Sequence, residues 1–310
     1  MKIHGLLLLD KPLGLSSNAA LQKVRRLLSA DKAGHGGTLD PMATGVLPLM
    51  FGEACKLAGA ALTHDKAYEA VVRFGIRTTT DDVEGEVIRR SALRPSAARL
   101  TAALPRFVGR IQQVPPVYSA LKVGGKAMYR HAREGAPVQA APREVRVDAI
   151  ELLDFDGEQA RLSIACGSGT YIRSIARDLG EALECGAHLS GLRRTRVGQY
   201  QVKDAVPLDS LLAVGPEAAL KHLHGLCRLV DGWPRAELDA EQAQCFFQGQ
   251  AVVAAVSASM PRATTAGPAV SPAQDRVAVL HAGRLAGLAR PVPLPDGGVQ
   301  LLPVRVMLPD

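Results

Sequence analysis

Asp40 is the one acid between Asp31 and Glu53, and it lies inside the glycine-dense string Gly34-His35-Gly36-Gly37-Thr38-Leu39-Asp40-Pro41-Met42-Ala43-Thr44-Gly45. Pro41 pushes the residue before it out of the helical region toward extended geometry, while glycines at 36, 37 and 45 permit backbone turns and close ligand approach. The carboxylate is presented by a loop instead of being packed. Most Asp-Pro pairs are turn residues that bond their own backbone. A carboxylate isolated in this way can also serve as nucleophile or base in glycosidic chemistry, as in retaining glycosidases.

Elements of both kinds must hold that loop. Residues 3–9 predict a buried strand, and Ser16–Leu28 a helix with Leu21, Val24, Leu27 and Leu28 opposite Lys23, Arg25 and Arg26. In Lys66–Ile76 the even positions Tyr68, Ala70, Val72, Phe74 and Ile76 are apolar or aromatic and Glu69 and Arg73 alternate with them, so Tyr68 is expected on a strand. Arg99–Val108 predicts a short helix, and Val145–Leu153 and Arg161–Cys166 predict strands. Thr170 is expected to cap a helix carrying Ile172, Ile175, Ala176, Leu179 and Leu183 on one face. From Val252 to Gln274 the chain is rich in Ala, Ser, Thr and Pro, a composition expected to form a mobile loop. The β-like runs Arg276–Leu288 and Val299–Leu308 flank a Pro-Asp-Gly-Gly turn at 295–298, which predicts a small β-rich module.

At 310 residues with 47% hydrophobic content the chain can bury a large core and a small one. Its charge is uneven: residues 1–203 carry 29 Lys and Arg against 20 Asp and Glu, whereas residues 204–310 carry 8 against 10. A basic first two-thirds suits a polyanionic partner. The cysteines at 55, 166, 185, 227 and 245 form no C-x-x-C pair, which predicts unpaired thiols of a reducing compartment. Leu6–Leu9 is too short for a signal peptide's apolar core and no stretch is long enough to span a bilayer, so a cytoplasmic protein is expected. Gly167-Ser168-Gly169 lacks the third glycine of a dinucleotide fingerprint, whose place is taken by Ile172, and Gly124-Gly125-Lys126 lacks the spacing of a phosphate loop. His222 and His224 have no nearby Cys or acid cluster, so no metal site is expected.

The Asp40 string resembles the signature of the bacterial tRNA pseudouridine-55 synthases, the TruB family, in which the Asp is catalytic. Further blocks match in order. Asp10-Lys11-Pro12 with Gly14 and Ser16-Ser17-Asn18 resembles the family's opening strand and helix start. Pro115–Lys122 followed by Gly125, Tyr129, Ala132, Arg133 and Gly135 resembles its Y-S-A-x-K block. Gly169–Ile175 through Asp178-Leu179-Gly180, and Cys185–Leu189 with Leu192-Arg193-Arg194, resemble later motifs. The resemblance runs collinearly from about residue 3 to residue 200 and thins beyond residue 235.

The resemblance implies an α+β fold: a pseudouridine-synthase catalytic domain on a mixed, mostly antiparallel sheet flanked by helices, expected over 1–230. A small PUA-like C-terminal domain follows, expected over 231–310, with the Ala/Pro/Ser-rich insertion near 254–274. It implies isomerisation of the T-loop uridine of tRNA at position 55, by base flipping and without a cofactor, in a protein that needs no protein partner. Asp40 is the expected catalytic residue. Tyr68 is expected to stack on the extruded uracil, Tyr171 and Leu192 to contact the nucleoside, His35 to fill the vacated RNA loop, and Lys11 to touch substrate or brace the loop. Arg173 is expected to pair with Asp40 and hold it ionised by lowering its pKa. Lys122, Lys126, Arg130, Arg133, Arg193, Arg194 and Arg196 are candidates for gripping phosphates of the tRNA arm. The competing reading is an RNA-binding or tRNA-folding protein of the same fold that performs no chemistry.

Overall fold

The computed structural model describes residues 3–61, 65–119, 121–136, 138–257 and 276–307. Its main sheet is built from β1 (Gly5–Lys11), β2 (Ala33–His35), β3 (Ala43–Phe51), β4 (Lys66–Phe74), β5 (Gly109–Gln113), β6 (Arg143–Phe155), β7 (Gln159–Cys166), β8 (Ala187–Val197), β9 (Tyr200–Gln201) and β10 (Val206–Pro207). The strand order is β10-β1-β3-β8-β4-β7-β6-β5, with β2 added to β3 and β9 to β8. Only the β1–β10 and β3–β8 pairs of this sheet are parallel, so it is mixed and mostly antiparallel, as expected.

The leucine run of β1 is buried on both faces, because alternate side chains of a strand point to opposite sides. Leu7 and Leu9 enter the main core with α1 (Ser17–Leu27) and α2 (Ile172–Ala182). Leu6 and Leu8 enter a second core with Val46, Met50, Trp233, Leu280, Leu288 and Met307, which joins this sheet to the C-terminal strands. The expected alternation of β4 is realised: Lys66, Tyr68, Ala70, Val72 and Phe74 are buried, while Glu69 and Arg73 are exposed. Ser16 caps α1 by accepting the Ala19 N–H at 3.1 Å.

Several local expectations change. Thr170 does not cap α2: Tyr171 occupies the cap position without a side-chain bond, and the Thr170 hydroxyl donates to the Arg146 carbonyl at 3.3 Å instead. The 99–108 segment is an α-helix over Ala97–Ala103 that tightens to a 3-10 turn over Leu104–Phe107, where Pro105 cannot supply an α-helical N–H. The 276–288 run is broken into Val277–His281 and Arg284–Pro293, because Ala282 (φ 49°) and Gly283 (φ 71°) turn the chain back on itself. With Arg235–Leu238, Val252–Val253 and Val299–Val306 these strands make a five-stranded sheet among the described residues. The 295–298 turn joins its last two long strands, Leu294 N–H donating to Gly298 O at 2.8 Å. Within the expected insertion, Ser257 N–H donates to Arg235 O at 2.8 Å. Residues 258–274 lie outside the described residues. None of the described helices is long and apolar enough to cross a membrane.

Candidate active site

β8 decides where the site forms. It runs parallel to β3, placing Leu192 beside Ala43 and Arg194 beside Gly45, and antiparallel to β4, placing Arg194 beside Tyr68. The chain that follows Asp40 and the strand that bears Tyr68 thus flank one intervening strand, two spacings or about 10 Å apart.

The loop between β2 and β3 presents Asp40, and each neighbour of Asp40 is fixed. Leu39 donates its N–H to Ser17 Oγ at 2.7 Å and accepts the Ser17 hydroxyl on its carbonyl at 3.0 Å. Pro41 O accepts the Gly14 N–H at 2.9 Å, and Asp40 O accepts the Ala43 N–H at 3.0 Å. Glu84 accepts the Met42 N–H. Because Ser17 and Leu39 are buried, Ser17→Ala strands two backbone polar groups; we expect a loss of about 1–3 kcal/mol in denaturant unfolding, with a reduced isomerisation rate.

Arg173, on the first turn of α2, reaches the carboxylate. Its Nε lies 2.9 Å from Asp40 Oδ2, and its Nη1 lies 3.6 Å from Asp82 Oδ2. It also donates to Thr80 O at 3.1 Å and Tyr118 O at 2.8 Å. At 4% exposure it is no surface arginine. Its expected effect on Asp40 is only half realised. Burial pushes the Asp40 carboxyl above the ordinary carboxylate value; Arg173 and Lys11 pull it down, Asp82 adds to the rise, and the net shift is upward. The Asp40 side chain keeps 34% of its surface exposed.

Tyr68 is 7% exposed, and burial carries its phenol up to about 12, against the pull of Arg194. Lys11 is fully buried; its ammonium donates to Pro12 O at 2.8 Å and Leu15 O at 2.5 Å, so it braces the turn that Gly14 bonds to Pro41. Burial lowers it to about 8, with Asp40 opposing. His35 ends β2, its Nδ1 buried without a hydrogen-bond partner among the described residues, and burial together with the Arg194 charge lowers its pKa and favours the neutral ring. Tyr171 is half-buried at the start of α2, tied by its backbone to the Gln113 side chain at 2.8 and 3.1 Å, with the Arg143 guanidinium 5.0 Å from its ring centre. Leu192 is partly buried against the main core.

The basic residues divide. Lys122 and Arg130 are exposed, and Lys126 is ion-paired with Glu134. Arg133 ends a short helix and its side chain lies outside the described residues. Arg193, 42% exposed, grips Asp10 at 2.7 Å, and Arg196 donates to Gly198 O at 3.0 Å. Arg194 is a correction: it is fully buried and bonds backbone carbonyls, so it cannot reach a phosphate.

A family model described as TruB family pseudouridylate synthase (N terminal domain) matches residues 25–172, and one described as tRNA pseudouridylate synthase B C-terminal domain matches residues 173–224. The chain belongs to the TruB family. It is 48% identical over 254 residues to the tRNA pseudouridine synthase B of Stutzerimonas stutzeri, covering 81% of this chain and 83% of that one. The tRNA pseudouridine synthase B of Cupriavidus metallidurans is 48% identical over 292 residues, covering 93% and 90%. That of Xanthomonas axonopodis pv. citri is 52% identical over 252 residues, covering 80% and 82%. Among solved structures, a Cbf5-Nop10-Gar1 complex aligns with TM-score 0.72 at 25% identity over 98% of this chain and 85% of that one. An H/ACA RNP bound to a substrate RNA containing 2'-deoxyuridine aligns with TM-score 0.72 at 23% identity over the same shares, a likeness of fold.

In this TruB-family chain the two family models meet at the start of α2, so Asp40 and Arg173 fall in different ones and meet only in the folded protein. Sequence reasoning passed over the Thr79–Glu86 loop, which supplies more of the site. Asp82 accepts from the Thr80 hydroxyl at 2.5 Å and from Glu84 N–H at 3.0 Å and faces Arg173. Asp81, at φ 61°, pairs with Arg177 at 2.9 Å. Arg173 and Arg177, four apart on one helix face, thus hold successive acids of one loop. That i, i+4 arginine pair and the Thr-Thr-Asp-Asp run were the available signals.

Proposed function

We propose that the chain isomerises the T-loop uridine of tRNA, position 55, to pseudouridine, with Asp40 as the catalytic carboxylate. The observation that carries this reading is the Arg173–Asp40 pair at 2.9 Å, in which a buried guanidinium holds a carboxylate that stays partly exposed. The reaction breaks the bond from ribose C1′ to uracil N1 and forms one from C1′ to C5. The C5 proton leaves, N1 regains a proton, and there is no net oxidation or reduction. Asp40 acts as nucleophile or base in the cleavage step. The uracil leaves its stack to reach Asp40, and the wall formed by Tyr68 receives it. His35, Tyr171 and Leu192 line the approach. Lys122, Lys126, Arg130, Arg133, Arg193 and Arg196 are the candidates to bind phosphates of the T-arm, whose RNA is read by loop shape and unstacked bases. The catalytic unit is taken as 1–230 and the PUA-like unit as 231–310. The same reading places the protein in the cytoplasm as a monomer.

Tritium release from uracil-5-tritiated unmodified tRNA tests this. Release is expected, and replacing the T-loop uridine by cytidine should stop it. Well-bound tRNA without release would favour the RNA-binding alternative. Tyr68→Leu is expected to slow single-turnover release by the worth of one base–aromatic stack, about 1–3 kcal/mol. An unchanged rate would return Tyr68 to a purely packing role.

A further inference from the structure

The buried Arg194 side chain is not used by the proposed chemistry, yet it is among the largest fully buried side chains of the protein. Burying a guanidinium is costly unless its donors are satisfied and its charge has a partner. Its donors are well placed: Nε bonds Val46 O at 2.9 Å, Nη1 bonds Thr38 O at 3.3 Å and Nη2 bonds Gly37 O at 3.1 Å. The fourth partner is the Tyr68 hydroxyl, and among the described residues Tyr68 is the group that favours the Arg194 charge. No carboxylate of the described residues forms an ion pair with it.

These four partners are not scattered. Gly37 and Thr38 lie just before Asp40, Val46 lies on β3 just after it, and Tyr68 lies across β8 on β4. One planar fork therefore ties the Asp40 loop, on both sides of the acid, to the strand that carries the aromatic wall. The close fit of β3 to β8 reinforces it: a Cβ at Gly45, whose φ is +107°, would fall 2.2 Å from Arg194 O. Ser17 holds Leu39, so the backbone of Gly37, Thr38 and Leu39 is fixed by two buried side chains from separate elements. A lysine would preserve the charge, but an ammonium has no planar fork and cannot serve these diverging acceptors at once.

We propose that Arg194 is a positioning residue that sets the separation between the Asp40 loop and the Tyr68 ring, the two walls between which the uracil is held, and that it makes no contact with RNA. This rests on the isomerase reading above. Its direct consequence is that losing the fork slows the chemical step without loosening tRNA, because a misplacement of about 1 Å between reacting groups can cost on the order of 100-fold in rate.

The test is single-turnover tritium release by Arg194→Lys and Arg194→Ala, alongside tRNA Kd by filter binding and thermal unfolding. The expected result for Arg194→Lys is a rate loss of about 10–100-fold with Kd within about threefold of wild type. In Arg194→Ala, low guanidinium concentrations that leave the Tm unchanged should restore part of the rate with saturation. A folded Arg194→Lys variant with wild-type rate would overturn the proposal, as would a loss of affinity matching the loss of rate, which would mark a phosphate contact. If neither variant folds, Tyr68→Phe decides. It keeps the ring and removes the acceptor; slowed release at unchanged Kd is expected, and a wild-type rate would overturn the proposal. An inactive wild type would instead sink the isomerase reading.

Discussion

Asp40→Asn is expected to form no measurable pseudouridine while binding unmodified tRNA within about tenfold of wild type, a change of roughly 1.4 kcal/mol or less. What positions the backbone of residue 40 does not depend on its charge. The Ser17–Leu39 pair, the Ala43 N–H on its own carbonyl, the Gly14–Pro41 bond and the Arg194 fork all act on backbone. The asparagine oxygen can still accept from Arg173 Nε. What disappears is the anionic oxygen able to attack or deprotonate; Asp82, the other acid beside Arg173, is already bound by Thr80 and Glu84 within its own loop and by Arg173. The rate loss should therefore reach at least about 10⁴-fold, on the order of 5 kcal/mol. The measurement is single-turnover tritium release with Kd determined in parallel. Residual turnover above about one hundredth of wild type would remove Asp40 from the chemistry.

What could be read from the chain in advance was local. The Asp-Pro pair within glycines marked the loop, the period-2 alternation put Tyr68 on a buried strand face, and the α1 cap fell at Ser16. The residue classes that misled were the long cations. Arginine is mostly exposed, and a basic run such as Arg193-Arg194 in a basic protein invites a phosphate. Yet neighbours on a strand face opposite ways, so Arg193 reaches out to Asp10 while Arg194 turns into the core. Which of the two went inward depended on the register of β8 between β3 and β4, a tertiary fact. The Asp81–Asp82 loop escaped for a similar reason: its meaning lies in the α2 arginines, more than 90 residues away along the chain. The turn at Ala282-Gly283 lacks the stronger Asn-Gly signature, so the β-like pattern runs across it unbroken.

Arg173→Met should be the second most damaging change, and its pH dependence separates its roles. Arg173 is the counter-charge for Asp40 and Asp82 and the donor to Thr80 O and Tyr118 O, all from one nearly buried side chain. Removing one partner of such a buried pair leaves uncompensated charge, a loss of about 3–5 kcal/mol in stability. Chemistry should suffer further. The sign follows from Asp40: burial already lifts its carboxyl above 3.8, and Arg173 is the first force opposing that lift. Without it the carboxyl rises further, so the ionised form required for attack or proton abstraction is lost at a higher pH. The acid limb of the rate profile, already above the ordinary carboxylate range in wild type, should move to higher pH in Arg173→Met, and raising the pH should recover part of the rate. Arg173→Lys keeps the charge, so its limb should move less, while its maximal rate stays low because one ammonium cannot hold Asp40, Asp82 and two carbonyls in place. A folded Arg173→Met variant whose acid limb coincides with wild type would mean that Arg173 orients Asp40 without tuning its charge.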